Sequence, residues 1–136
     1  MKKLFFIPLL LVIISGCTSD APTEENDILV YFAKGETWAA TYTLIDAEET
    51  IFDSLYIQHI GDRDLELEPI EYSLEGSRMK QESQYPRELQ SVRSFQESGE
   101  HSKEVLNNIK DKDEEYKLTI KQSGGSEELI LRLIKE

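Results

Sequence analysis

Trp38-Ala39-Ala40-Thr41-Tyr42-Thr43-Leu44 is the stretch that decides the fold. Trp38, Ala40, Tyr42 and Leu44 alternate with Ala39, Thr41 and Thr43, a period of two carried by aromatic and β-branched residues. Successive side chains of a strand point to opposite faces, so this pattern builds a strand with an apolar face and a threonine-rich one. The same rhythm recurs further along. Ile70, Tyr72 and Leu74 alternate with Glu71, Ser73 and Glu75, and Tyr116, Leu118 and Ile120 alternate with Lys117, Thr119 and Lys121. These three segments read as half-buried strands. Residues 28–33 and 51–60 carry apolar side chains on both faces and read as more deeply covered strands.

Turn signals separate these runs. Ser123-Gly124-Gly125-Ser126 lies between the strand at 116 and an apolar run at 129–134, and glycine supplies the positive φ of tight hairpin turns, so 115–135 is expected to be a β-hairpin. Gly61-Asp62-Arg63-Asp64 and Glu75-Gly76-Ser77 read as two further turns. Residues 87–97 fit a strand through Leu89, Ser91, Arg93 and Phe95, or a helical turn through Leu89, Val92 and Phe95; the strand is preferred. Ser102 is placed to cap one short helix at 103–110, with Val105, Leu106 and Ile109 on one side. Seven or eight short strands at regular spacing point to an all-β domain over 28–136, an antiparallel β-sandwich of immunoglobulin-like architecture, with a small β-barrel as the second choice.

Composition sets bounds on function. The chain has 136 residues, and the 120 left after residue 16 suit a single domain. All 27 acidic residues follow Cys17, while Lys2 and Lys3 precede it, so the chain from Cys17 onward carries a formal charge of 13 minus 27, or −14. A surface of that sign repels nucleic acid phosphates and anionic headgroups, and no nucleic acid partner is expected. The single cysteine excludes an intramolecular disulfide framework.

The neighbours of that cysteine explain it. Met1, Lys2 and Lys3 form a positive end, and residues 4–14 are an 11-residue apolar run interrupted only by Pro8. That is the length of a signal-peptide core and short of the roughly 20 residues of a membrane-spanning helix. Ile14-Ser15-Gly16-Cys17 then resembles the lipobox of bacterial lipoproteins: an aliphatic residue, two small residues and cysteine. The resemblance implies that residues 1–16 are a lipoprotein signal peptide, that a diacylglyceryl group joins the Cys17 sulfur, and that a dedicated peptidase cuts between Gly16 and Cys17. Two acyl chains give stable anchoring where one is marginal. The expected location is therefore the extracytoplasmic face of the cell membrane, with the membrane itself a partner through Cys17. Residues 18–27, polar and acidic without periodicity, read as a disordered tether.

A second resemblance rests on Gly35-Glu36-Thr37-Trp38-Ala39-Ala40-Thr41-Tyr42, Tyr72-Ser73-Leu74-Glu75-Gly76 and the final Tyr116-Lys117-Leu118-Thr119-Ile120 strand. Together these are similar to small lipoproteins of Bacillus-type bacteria, which carry a Gly-Glu-x-x-Trp stretch soon after the tether and then an all-β domain. The Glu36–Trp38 spacing is one residue shorter than that pattern. The resemblance implies a fold and a cellular home and no activity.

Residues able to carry chemistry are sparse. His59 and His101 are the only histidines, 42 positions apart, and neither lies in a metal-type spacing or a nucleophile elbow. His59 reads as a strand-end residue and His101 as a loop residue. Asp62 and Asp64, and Asp111, Asp113, Glu114 and Glu115, are acidic groups that read as solvated turns, with weak calcium binding the alternative; neither has the glycine and terminal glutamate of an EF-hand. No catalytic residue, cofactor or metal is expected. Trp38 reads as a core anchor; its functional alternative, with Tyr42, is a ligand surface for a glycan or peptide. Two functions follow: a non-enzymatic binding or assembly module of the cell envelope, with a protein or glycan partner, or a cell-wall-directed enzyme or enzyme accessory with carboxylates converging around Trp38.

Overall fold

In a computed structural model the described residues are 28–77, 79–90, 92–102 and 115–134. The expected signal peptide with Gly16, Cys17, the expected tether, the expected helix at 103–110, and Asp111, Asp113 and Glu114 lie outside them.

Eight strands follow one another: β1 (Ile28–Lys34), β2 (Trp38–Ala47), β3 (Thr50–His59), β4 (Glu71–Glu75), β5 (Lys80–Glu82), β6 (Ser94–Ser102), β7 (Tyr116–Gln122) and β8 (Gly125–Leu133). All recorded pairings are antiparallel, in the order β5-β4-β7-β8-β1-β2-β3-β6. The period-two segments become β2, β4 and β7, and the hairpin expected at 115–135 is β7–β8, turning at Gly125 with φ +151°. β5 was not legible as a strand. The strand expected at 87–97 starts only at Ser94, because Arg93 adopts φ 62° and breaks the extended run. His101, expected in a loop, belongs to β6 opposite Ile51.

The described domain is all-β, as expected. All eight strands share one antiparallel sheet, which curls into a half-barrel. The curl is measurable from side chains. β4 and β6 are six steps apart in the strand order, about 29 Å in a flat sheet at the usual strand spacing. Yet the rings of Tyr72 on β4 and Phe95 on β6 are 5.6 Å apart. Tyr42 on β2 and Tyr116 on β7, three steps apart, have ring centroids 5.0 Å apart. The inward face collects Tyr31, Trp38, Ala40, Tyr42, Leu44, Leu55, Ile57, Tyr72, Leu74, Leu118, Ile120 and Leu131, all buried. The joint between the halves is narrow: β1 meets β8 through the pairs Tyr31–Leu133 and Phe32–Arg132.

Polar side chains tie the two edges of the sheet together. Arg87 pairs its backbone with Ile70 just before β4, donating to and accepting from it at 2.7 and 2.8 Å. Its guanidinium reaches Glu97 of β6 at 3.0 Å, and the Tyr72 hydroxyl donates to the other oxygen of that carboxylate. Burial holds the Tyr72 proton on well above the usual tyrosine range; the bond to Glu97 and its negative charge add to this, and Arg87 opposes it. A phenol whose folded-state affinity for its proton is raised stabilises the fold below the ordinary value near 10 and loses that contribution as pH rises beyond it. Tyr72→Phe is therefore expected to lower stability by about 1.5–3 kcal/mol at neutral pH, the range for a hydrogen bond to a charged group. Denaturant melts check this, and the gap between wild type and Tyr72→Phe should shrink at strongly alkaline pH.

Candidate functional site

The two residues the sequence offered as a ligand surface lie on the inward face of β2. Trp38 is 3% exposed and Tyr42 0%. The register pairs Trp38 with His59, and their rings meet edge-on at 4.9 Å. Tyr42 sits four residues on, edge-on to Tyr116, which in turn meets Tyr31 edge-on at 4.8 Å. The structure thus brings Trp38 to one end of the core and Tyr42 to its middle, with Ala40 between them.

Around Trp38 the local chain is shaped by one carboxylate. Glu127 of β8 accepts hydrogen bonds from the backbone N–H groups of Glu36 at 2.9 Å, Thr37 at 3.2 Å and Trp38 at 2.9 Å. Three successive N–H groups at the start of β2 would otherwise lack partners, and a carboxylate satisfies them with charge-assisted bonds. Gly35 is required there: a Cβ would lie 2.7 Å from both Glu127 Oε1 and Leu129 Cδ2. A shallow cavity of about 330 Å³ adjoins this turn, lined by Thr37, Trp38, Ile120, Gln122, Gly125 and Glu127. Trp38 lines it while only 3% exposed.

His59 closes the other side of Trp38. It is buried, its Nδ1 has no hydrogen-bond partner, and burial followed by the charge of Arg93 lowers its pKa; Asp62 and Glu127 oppose this in part. The sequence placed His59 at a strand end, as observed.

A second polar group occupies the concave face. Asp53, on an inward position of β3 between Ile51 and Leu55, is 4% exposed. Its Oδ2 accepts from the Tyr42 hydroxyl at 2.9 Å and lies 3.1 Å from Nε2 of half-exposed His101 on β6; its Oδ1 has no partner. Met79 Sδ is 3.4 Å from the same hydroxyl. The absent side chain of Gly99 makes room, since a Cβ would stand 2.8 Å from Asp53 Oδ1. A buried carboxylate needs such partners, and the pair orients the imidazole of His101. Sequence analysis missed this group. The available signal was an aspartate at an inward position of an otherwise apolar alternation in β3.

The acidic turn at Asp62 and Asp64 is closed by protein groups. Asp62 Oδ1 accepts from the Asp64 N–H at 2.9 Å, and the Arg93 guanidinium donates to the carbonyls of Asp62 at 3.1 Å, Leu65 at 2.8 Å and Arg63. Among the described residues no three His, Cys, Asp or Glu side chains converge as a metal site. No helix among them is long and apolar enough to cross a membrane. Set beside known protein families, characterised proteins and solved structures, the chain matches none.

Two outcomes are expected from this geometry. Trp38→Ala should cost about 3–5 kcal/mol, the usual loss for truncating a buried aromatic, against a typical total near 5–15 kcal/mol. A change within about 1 kcal/mol in denaturant melts would mean that Trp38 is not a core anchor. For His59, the unfolded chain takes up a proton below about pH 6.5 while the folded one resists it. Stability should therefore fall as pH drops below that value, and His59→Phe should remove part of that slope in melts taken across the range.

Proposed function

We propose that this chain is a lipid-anchored protein of the extracytoplasmic membrane face, whose β domain binds or assembles with another envelope component and catalyses no reaction. The observation that carries the reading is the ordered series of a positive end, an 11-residue apolar run, Ser15-Gly16 and Cys17. The length of the tether fits it: ten residues separate Cys17 from the first strand at Ile28, at most about 35 Å of chain, so a domain held by Cys17 works close to the bilayer.

The site favours binding over the alternative of a cell-wall-directed enzyme or accessory. That alternative draws on carboxylates converging around Trp38, whereas Glu127, the carboxylate beside it, is engaged by three backbone N–H groups. We also read the halves β5-β4-β7-β8 and β1-β2-β3-β6 as the two layers of a sandwich joined at β8 and β1. The packing of Tyr72 on Phe95 across the core supports that reading.

Cys17→Ala is expected to abolish both thioether lipidation and cleavage after Gly16, leaving the protein unprocessed or released from membranes. Mass spectrometry of the membrane fraction checks it; an unmodified Cys17 thiol in mature wild-type protein would refute the anchor.

A further inference from the structure

The outward face of β1, β2 and β3 differs from the rest of this acidic chain. It presents four positions on β1, five on β2 and five on β3, and Lys34 is the only charged residue among the fourteen. Charged residues make up 31% of the whole sequence. Ile28, Ile45 and Phe52 occupy one cross-strand row, and Val30 and Phe32 follow on β1. Ile134 joins them, its N–H donating to the Val30 carbonyl at 2.8 Å. Ile28, Phe32, Phe52 and Ile134 are 58, 43, 42 and 54% exposed. Glu100, opposite Phe52, and Arg132, opposite Phe32, mark the rim.

We infer that this face seats the domain on the lipid bilayer to which Cys17 is anchored. The inference rests on the lipoprotein reading above. The patch begins at Ile28, directly after the ten residues that follow Cys17, so the anchor keeps this end of β1 within about 35 Å of the lipid. Tethering also raises the local concentration of membrane, so a face too weak to bind alone can engage. Phenylalanine and isoleucine side chains enter the headgroup boundary favourably. Electrostatics sets the orientation. A chain of formal charge −14 from Cys17 onward is repelled by anionic headgroups, whereas the fourteen positions of this face carry no negative charge. A second copy is a poorer occupant, because the outer surface of a curled sheet is convex and two such surfaces meet over little area. Seated in this way, the domain turns its concave side and the Asp53–His101 pair away from the bilayer.

The three phenylalanines after Cys17 provide the test, since Phe32 and Phe52 lie in the patch and Phe95 is buried in the core. The lipidated mature protein, carrying fluorophenylalanine, is placed in phosphatidylcholine vesicles with and without nitroxide-bearing acyl chains, and fluorine NMR lines are assigned with Phe32→Ser and Phe52→Ser. The expected result is several-fold broadening of the Phe32 and Phe52 lines by the nitroxide lipid, with Phe95 little changed. Three equally unaffected lines on protein that co-floats with the vesicles would overturn the inference and leave the anchor standing. Lines that respond to protein concentration and not to nitroxide lipid would also overturn it, in favour of a second copy. Should mass spectrometry find Cys17 without lipid, the lipoprotein reading fails on its own account. Coupling a diacyl maleimide to that thiol, the only one in the chain, then puts the face to the same test.

Discussion

The contact between Tyr72 and Phe95 is the constraint on which the rest of the domain depends. A single sheet has two faces, and this one buries one of them by curling until its ends face each other. Side chains six strands apart then share one core. The three tyrosines Tyr31, Tyr42 and Tyr116 fill the middle of that space edge-on, the arrangement that aromatic rings prefer. β1 and β8 are joined by a short ladder, the pairs Tyr31–Leu133 and Phe32–Arg132 and the bond from the Ile134 N–H to the Val30 carbonyl. The angle between the halves is set by the inward side chains and by the Arg87–Glu97–Tyr72 bonds at the seam.

Three partly buried charged side chains secure the connections around that curl. Glu127 holds the turn into β2, Arg93 holds the carbonyls of the loop after β3, and Arg87 ties the chain before β4 to β6. Each is a charged side chain spent on backbone groups or on one opposite charge, which is how an irregular connection satisfies polar atoms that no strand partner reaches. Asp53 is the exception. It lies inside β3, where the ladder already satisfies the backbone, and its one free oxygen beside Gly99 has no structural duty that the contacts explain.

The division of faces bears on function. The concave side is committed to the core, and the rim hollows and the nearly uncharged outer face of β1–β3 are among the described surfaces left open.

By itself the sequence determined the all-β class and the faces of β2, β4 and β7, whereas β1 and β3, expected to be covered on both sides, are open on their outer side at Ile28, Phe32 and Phe52. Alternation at Trp38–Leu44, Ile70–Leu74 and Tyr116–Ile120 identifies which side chains turn inward, because the two-residue period is a local property of extended chain. It also marked Trp38 and His59 correctly as a buried residue and a strand end. Strand order, the curl, and the meeting of Asp53 with His101 were decided only by the tertiary structure. The strand at 94–102 was displaced because Arg93 takes a left-handed conformation so that its guanidinium can gather three loop carbonyls, a demand made by residues 28 to 31 positions away. Local periodicity fixes which side of a strand is apolar; what that side will face depends on contacts between residues distant in the chain, and these leave no period to read.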